Sequence, residues 1–198
     1  MDKYYCFKTP VTNTITIKRS EFITNLIPVM NESNIELHLK NLRKKYYDAT
    51  HNCYAYILGT NNDIKYKASD DGEPSKTAGA PILDSLQKNN LTNCLCVVTR
   101  YFGGIKLGAG GLVRAYSESA SSAINKICDL EEIIEKTQIT INLSYELTNI
   151  VLKQMSTYTL LSKEFLNDVS LTYELPKEKK DDVVTNLINI TNGKVSIK

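Results

Sequence analysis

The sequence has only two histidines, five cysteines and no apolar run near the ~18–20 residues a membrane-crossing helix requires. Histidine that scarce, with no Cys-x-x-Cys spacing, leaves no conventional donor set for a structural zinc ion. The odd count of Cys6, Cys53, Cys94, Cys96 and Cys128 excludes a fully paired disulfide scaffold. Reduced thiols in a cytoplasmic protein are expected instead. The stretch Met1-Asp2-Lys3-Tyr4-Tyr5 lacks the basic start and apolar segment of a secretory leader. An excess of one charge is also lacking. Against 22 Asp and Glu stand 24 Lys and Arg, so a net +2 argues neither for nor against nucleic acid. Residues 1–130 carry 16 Lys and Arg against 12 Asp and Glu, and residues 131–198 carry 8 against 10. The balances of +4 and −2 allow the two parts different partners.

With 42% hydrophobic and 23% charged residues, the chain is neither disordered nor fibrous. Its 198 residues suit one large domain or two small ones. Val11 to Lys18 alternates and reads as a strand, as does Phe22 to Val29. Ile35, Leu39 and Leu42 form a helical stripe behind the capping candidates at 31–34, ending near Tyr46. Cys53 to Leu58 and Ile64 to Ala68 make a hairpin around Gly59–Asp63. A short helix is expected over Thr77–Lys88. Continuous apolarity makes Cys94 to Thr99 a central strand, buried on both faces with Cys94 and Cys96 in the core. Ala109 to Cys128 reads as a long helix with Cys128 buried on it, and His38 as an exposed position on the first helix.

After Leu130 the texture changes. Residues 131–136 read as a bridge to a second unit. That unit runs strand (137–144), helix (145–158), strand (159–166), strand (169–175), helix (177–190) and strand (194–197), with Pro176 opening the second helix and Asn192-Gly193 closing it. This βαββαβ order is the ferredoxin-like arrangement. The expected class is therefore α+β, with two domains at 1–133 and 134–198.

Seven of the nine glycines lie between Gly72 and Gly111, so function is sought there first. The segment Ala68-Ser69-Asp70-Asp71-Gly72-Glu73-Pro74-Ser75-Lys76-Thr77 puts three carboxylates in a turn before a helix. Two readings stay open. Asp70, Asp71 and Glu73 hold a hard cation such as Mg²⁺ or meet a basic partner. Alternatively, the aspartates close an Asx turn while Glu73 complements the helix dipole. A P-loop is excluded, because Gly72-x-x-x-Lys76-Thr77 has no Gly directly before the Lys.

The second motif runs from Thr99 to Tyr116. Arg100, Lys106 and Arg114 supply three cations with no acid between, and Gly103, Gly104, Gly108, Gly110 and Gly111 shape a turn into a helix N-terminus. Tyr101 and Phe102 are candidates to stack on a base or pack a core. Arg114 sits about 200° from Leu112 and Tyr116, away from the buried stripe. The cluster reads as a phosphate or nucleic-acid-backbone site. In the alternative, the glycines only permit close packing and the cations pair with Asp70, Asp71 and Glu73. The dinucleotide fingerprint fails, since Val113 stands where its third Gly belongs. His51 and Asn52 precede a strand, and Cys53 reads as a buried structural thiol rather than a nucleophile paired with His51.

Four segments together carry a resemblance. They are Ser20-x-Phe22-Ile23, the run Ala49 to Tyr56, Asp70-Asp71-Gly72-Glu73-Pro74, and the run Arg100 to Tyr116. In that order the chain resembles the YigZ/IMPACT family throughout, departing at Lys76 (Gly in the family) and Ala80 (often Arg). The resemblance implies an Impact-type N-terminal domain with the fold of ribosomal protein S5 domain 2. It also implies a C-terminal ferredoxin-like domain similar to the last domain (domain V) of elongation factor G. Both folds recur in translation proteins, so the implied partners are RNA or the ribosome, or a translation-regulatory protein; from the residues themselves, no membrane and no cofactor beyond Mg²⁺ are expected. Eukaryotic IMPACT relatives restrain an initiation-factor kinase through a partner protein. The proline-dipeptidase label borne by some members fits poorly, for want of paired-metal ligands. The expected function is a cytoplasmic, non-enzymatic regulator of translation. The alternatives are a phosphate- or nucleotide-binding enzyme using the Gly-rich turn with Mg²⁺ on the acidic loop, or a protein-interaction regulator. Lack of a clear nucleophile–base pair favours binding over catalysis.

Overall fold

The computed structural model describes residues 3–198, so Met1 and Asp2, which open the first domain expected from the sequence, lie outside it. The chain divides into two compact units, one ending at Ile133 and the next starting at Ile134.

The first unit is built on a five-stranded antiparallel sheet. Its strands β2 (Val11–Ile17), β3 (Ser20–Pro28), β4 (His51–Leu58), β5 (Lys65–Ser69) and β6 (Cys94–Tyr101) lie in the order β2-β3-β6-β4-β5. The apolar β6 is central and buried on both faces, as its composition predicts. Its Leu95 and Val97 face helix α1 (Glu32–Lys45), joining Ile35, Leu39 and Leu42 in one cluster. Asn31 caps that helix by accepting from the Asn34 N–H at 2.9 Å, and His38 is half-buried rather than exposed. On the opposite face Cys94, Cys96 and Val98 meet α2 (Gly79–Lys88) and α3 (Ala109–Ile124) through Ile82, Leu86, Leu112, Tyr116 and Ala120.

Some boundaries differ from expectation. Helix α3 stops at Ile124, and Cys128 is exposed beyond it rather than in the core. Helix α2 starts at Gly79, two residues late, because Pro74 to Ala78 is occupied by turns. The expected bridge at 131–136 contains β7 (Glu131–Ile133), which pairs antiparallel with β1 (Tyr4–Cys6). Neither three-residue strand has enough length for periodicity to reveal it.

In the second unit β8 (Lys136–Leu143), α4 (Thr148–Gln154), β9 (Thr159–Phe165), β10 (Val169–Pro176), α5 (Lys180–Ile190) and β11 (Ser196–Ile197) follow the βαββαβ order. The sheet order β11-β8-β10-β9, antiparallel throughout, is ferredoxin-like. Alternate residues Ile139, Ile141 and Leu143 of β8 and Val169, Leu171, Tyr173 and Leu175 of β10 face Val151, Met155 and Leu187 of the helices. Both helices are shorter than expected: each begins with a separate 3₁₀ turn, and α4 also stops at Gln154, where turns replace the expected last helical turn. Gly193, at φ +74°, closes α5 by donating its N–H to Ile188 O at 2.8 Å. Among the described residues no helix is long and apolar enough to cross a membrane.

Candidate functional site

The site begins with register. Arg100 on β6 lies opposite Phe22 of β3 on one side and His51 of β4 on the other. Directly paired residues share a sheet face, and this face is the one covered by α2 and α3. A guanidinium is thus directed into the core, where it must be neutralised. The loop between β5 and α2 supplies the partner. Arg100 Nη1 lies 2.5 Å from Glu73 Oε1, with Arg100 6% and Glu73 9% exposed. The Tyr116 hydroxyl of α3 donates to the same carboxylate oxygen at 2.9 Å. His51 sits alongside, its Nδ1 2.8 Å from the Asp71 carbonyl and its Nε2 3.9 Å from Glu73 Oε2. The guanidinium carbon lies 5.6 Å from the Phe22 ring centre and 5.5 Å from that of Phe102. Its Nε is buried without a hydrogen-bond partner among the described residues.

The three acidic residues are used separately. Asp70 accepts the backbone N–H groups of Lys76 (2.8 Å), Ala78 (3.0 Å) and Gly79 (2.8 Å), capping α2 where Ala78 has no side chain able to do so. Burial pushes the Asp70 pKa up. The bonds from Gly79, Lys76 and Ala78 outweigh it and hold the carboxyl below its ordinary value. Asp71 accepts from the Asn52 N–H at 2.8 Å and from Arg43 at 3.3 Å. Glu73 belongs to Arg100 and Tyr116. Among the described residues no group of three His, Cys, Asp or Glu side chains could hold a metal ion. The expected alternative of Mg²⁺ on Asp70, Asp71 and Glu73 is corrected accordingly: each carboxylate faces a different protein donor. Lys76 holds φ +62°, a left-handed conformation that glycine adopts freely and that a side chain disfavours.

His51 and Asn52 fall on opposite faces of β4. Asn52 Oδ1 accepts from Thr99 Oγ1 at 2.8 Å in a buried pair. Cys53 is fully buried, its sulfur 2.9 Å from the Asp70 carbonyl and 3.3 Å from the Tyr116 hydroxyl. Burial pushes its thiol up to about 12, so it holds its proton at neutral pH. Burial likewise raises the Tyr116 pKa, helped by Cys53 and Glu73.

The glycine-rich turn leads from β6 into α3. At Gly103 an added Cβ would lie 2.0 Å from the carbonyl of Arg19, so the turn is pressed against the β2–β3 hairpin, and Gly103 N–H donates to Ser20 Oγ at 3.2 Å. Gly104 and Gly108 hold φ +82° and +71°, while Gly110 faces open space and Gly111 lies against Leu107. Gly108 is the α3 N-cap and offers no side chain, so the first-turn N–H groups lack a side-chain cap. Lys106 and Arg114 are exposed and have no ion-pair or hydrogen-bond partner among the described residues. Phe102 is 47% exposed. The Tyr101 hydroxyl donates to Asp48 at 2.8 Å, which raises its pKa to about 12. The three cations of the motif are thus divided: Arg100 is internal, and Lys106 and Arg114 are external. Of the cations in the motif, Arg100 is the one that pairs with the acidic loop, through Glu73. Sequence reasoning missed Tyr116 as the second donor to Glu73, although its place on the buried stripe was visible. It also missed the hairpin at Lys18-Arg19, which only the sheet places beside Gly103.

Comparison with known proteins follows these motifs. Residues 18–124 match the Impact N-terminal domain. The IMPACT family member YvyE of Bacillus subtilis is 38% identical over 200 residues, covering 100% of this chain and 91% of that protein. The IMPACT family member YigZ of Escherichia coli is 30% identical, covering 100% and 98%. A crystal structure of a hypothetical protein superposes with a TM-score of 0.64 at 28% identity, covering 100% of this chain and 97% of that one. The segments that build the Arg100–Glu73 pair and the glycine-rich turn lie inside the matched domain, and the chain belongs to the IMPACT family.

Proposed function

We propose that this protein is a non-enzymatic, RNA- or ribosome-associated regulator of translation that binds nucleic-acid phosphates at the turn from β6 into α3. One observation carries the reading: Lys106 and Arg114 remain exposed and unpartnered among the described residues, beside a helix start without a side-chain cap, while the nearby acids are occupied elsewhere. Cations so placed can exchange condensed counterions for direct phosphate contacts. Backbone N–H groups at the α3 start add directed donors to an anion. The protonated, buried Cys53 supports binding rather than covalent catalysis.

Titration of a labelled RNA by fluorescence anisotropy at several salt concentrations tests it. Lys106→Ala and Arg114→Ala are each expected to weaken binding to all sequences alike. Each should flatten the log–log salt dependence by about 0.7 for a single strand. Salt-independent binding, or unchanged affinity in the folded double variant, overturns the site.

A further inference from the structure

The hairpin that presses on Gly103 has an unusual tip. Ile17 pairs with Ser20, so β2 and β3 are joined by only Lys18 and Arg19. Both hold positive φ, +45° and +67°. A two-residue connection with both residues left-handed is the type I′ geometry, which favours Asn-Gly because a Cβ is disfavoured there. Two long cationic side chains are instead held in that conformation. Both are exposed, and neither has an ion-pair partner among the described residues. The tip lies at the end of the sheet where β6 leaves for the glycine-rich turn, since Glu21 pairs with Tyr101 and the Arg19 backbone packs on Gly103. Tyr116 of α3 meets Phe22 of β3 with ring centres 5.3 Å apart, and Ser119 one turn on meets Thr24 at 2.6 Å, so the N-terminal part of α3 that carries Arg114 lies towards the same end.

We infer that Lys18 and Arg19 are a second phosphate-binding arm, which together with Lys106 and Arg114 holds a single-stranded nucleic acid against the glycine-rich turn. The inference rests on the reading of that turn given above and adds both residues and ligand class. The single strand follows from Phe102. One side of its ring has the Arg100 guanidinium within 5.5 Å, and the side chain is nearly half exposed between Tyr101 and Gly103. An aromatic ring anchored from behind beside free cations suits an unstacked base, which a duplex does not offer. Gly103 is required here, since any side chain would separate the turn from the hairpin and spread the cations apart.

The test replaces the tip with the residues its backbone favours. In K18N/R19G the hairpin should be at least as stable as in the parent, so thermal unfolding should not fall. Affinity for a labelled 12-nucleotide RNA should fall, and the salt slope should flatten by about 1.4, for two lost phosphate contacts. Phe102→Ala should weaken the single strand with the slope unchanged, and should leave a duplex of equal length unaffected. Four results separate the possibilities. A parent protein that binds no RNA overturns the reading of the turn and this inference with it. A response to Lys106→Ala but none to K18N/R19G overturns the hairpin arm alone. Equal loss of duplex and single strand on Phe102→Ala overturns the ligand class. A drop in melting temperature for K18N/R19G at unchanged affinity assigns the tip a structural role only, and overturns the inference.

Discussion

Arg100 shows how one position changes meaning between sequence and structure. Among three cations and no acids it reads as a ligand for phosphate; in the fold, register with Phe22 and His51 turns it inward. The alternative of pairing with the acidic loop was legible in the sequence, because Asp70, Asp71 and Glu73 stand close together there. Which acid meets which cation was not, since that depends on the loop from β5 to α2 crossing the end of β6. The pair is costly to break and need not be stabilising to keep. Removing one member leaves an uncompensated buried charge, typically costing about 3–5 kcal/mol, whereas an apolar replacement can be nearly neutral. Glu73→Ala is therefore expected to destabilise the first unit by about 3 kcal/mol or more. Adding Arg100→Met should recover most of that loss, because it removes the orphaned cation. Urea denaturation of the single and double variants measures both effects, and a double variant no more stable than Glu73→Ala would contradict the account.

At the scale of elements, the long periodic segments were readable and their ends were not. Ile35, Leu39 and Leu42 located α1, and alternating apolar residues located β8 and β10. The start of α2 escaped because its cap lies eight residues upstream. Asp70 bonds Ala78 and Gly79 across the loop, a contact no local capping pattern encodes. These bonds depress the Asp70 pKa against the opposing effect of burial. A carboxyl depressed on folding contributes stability that is present above its unfolded value of about 3.9 and is lost as pH falls through the folded value. Asp70→Asn should thus lower stability by about 1–2 kcal/mol near neutrality. The gap in melting temperature between parent and variant should be widest above about pH 5, narrow as pH falls below about 4, and close only once the parent's folded Asp70 takes up its proton at its lower, depressed value. A gap that stays constant down to low pH would show that the charge contributes nothing to the cap.

For the whole molecule, each unit has its own core and its own sheets. We propose that the change of texture after Leu130 marks a true domain boundary. The segment 134–198 expressed alone should then show cooperative thermal unfolding, and limited proteolysis of the full chain should cut first near 134–135. A 134–198 fragment without a cooperative transition, together with cleavage elsewhere, would refute independent folding. Its length leaves little margin, since a domain of about 60 residues buries only about 60% of its unfolded surface. The sequence by itself determined the α+β class, the βαββαβ order of the second unit, the central buried strand and the family, because periodicity and dense motifs are local properties. Only the tertiary structure decided that Arg100 is internal and that Cys128 is exposed. It also decided that the three acids serve three separate sets of donors and that the Lys18-Arg19 tip stands beside Gly103. Those facts depend on strand register, helix ends and contacts between segments far apart in the chain, and no spacing of residues within one segment can specify them.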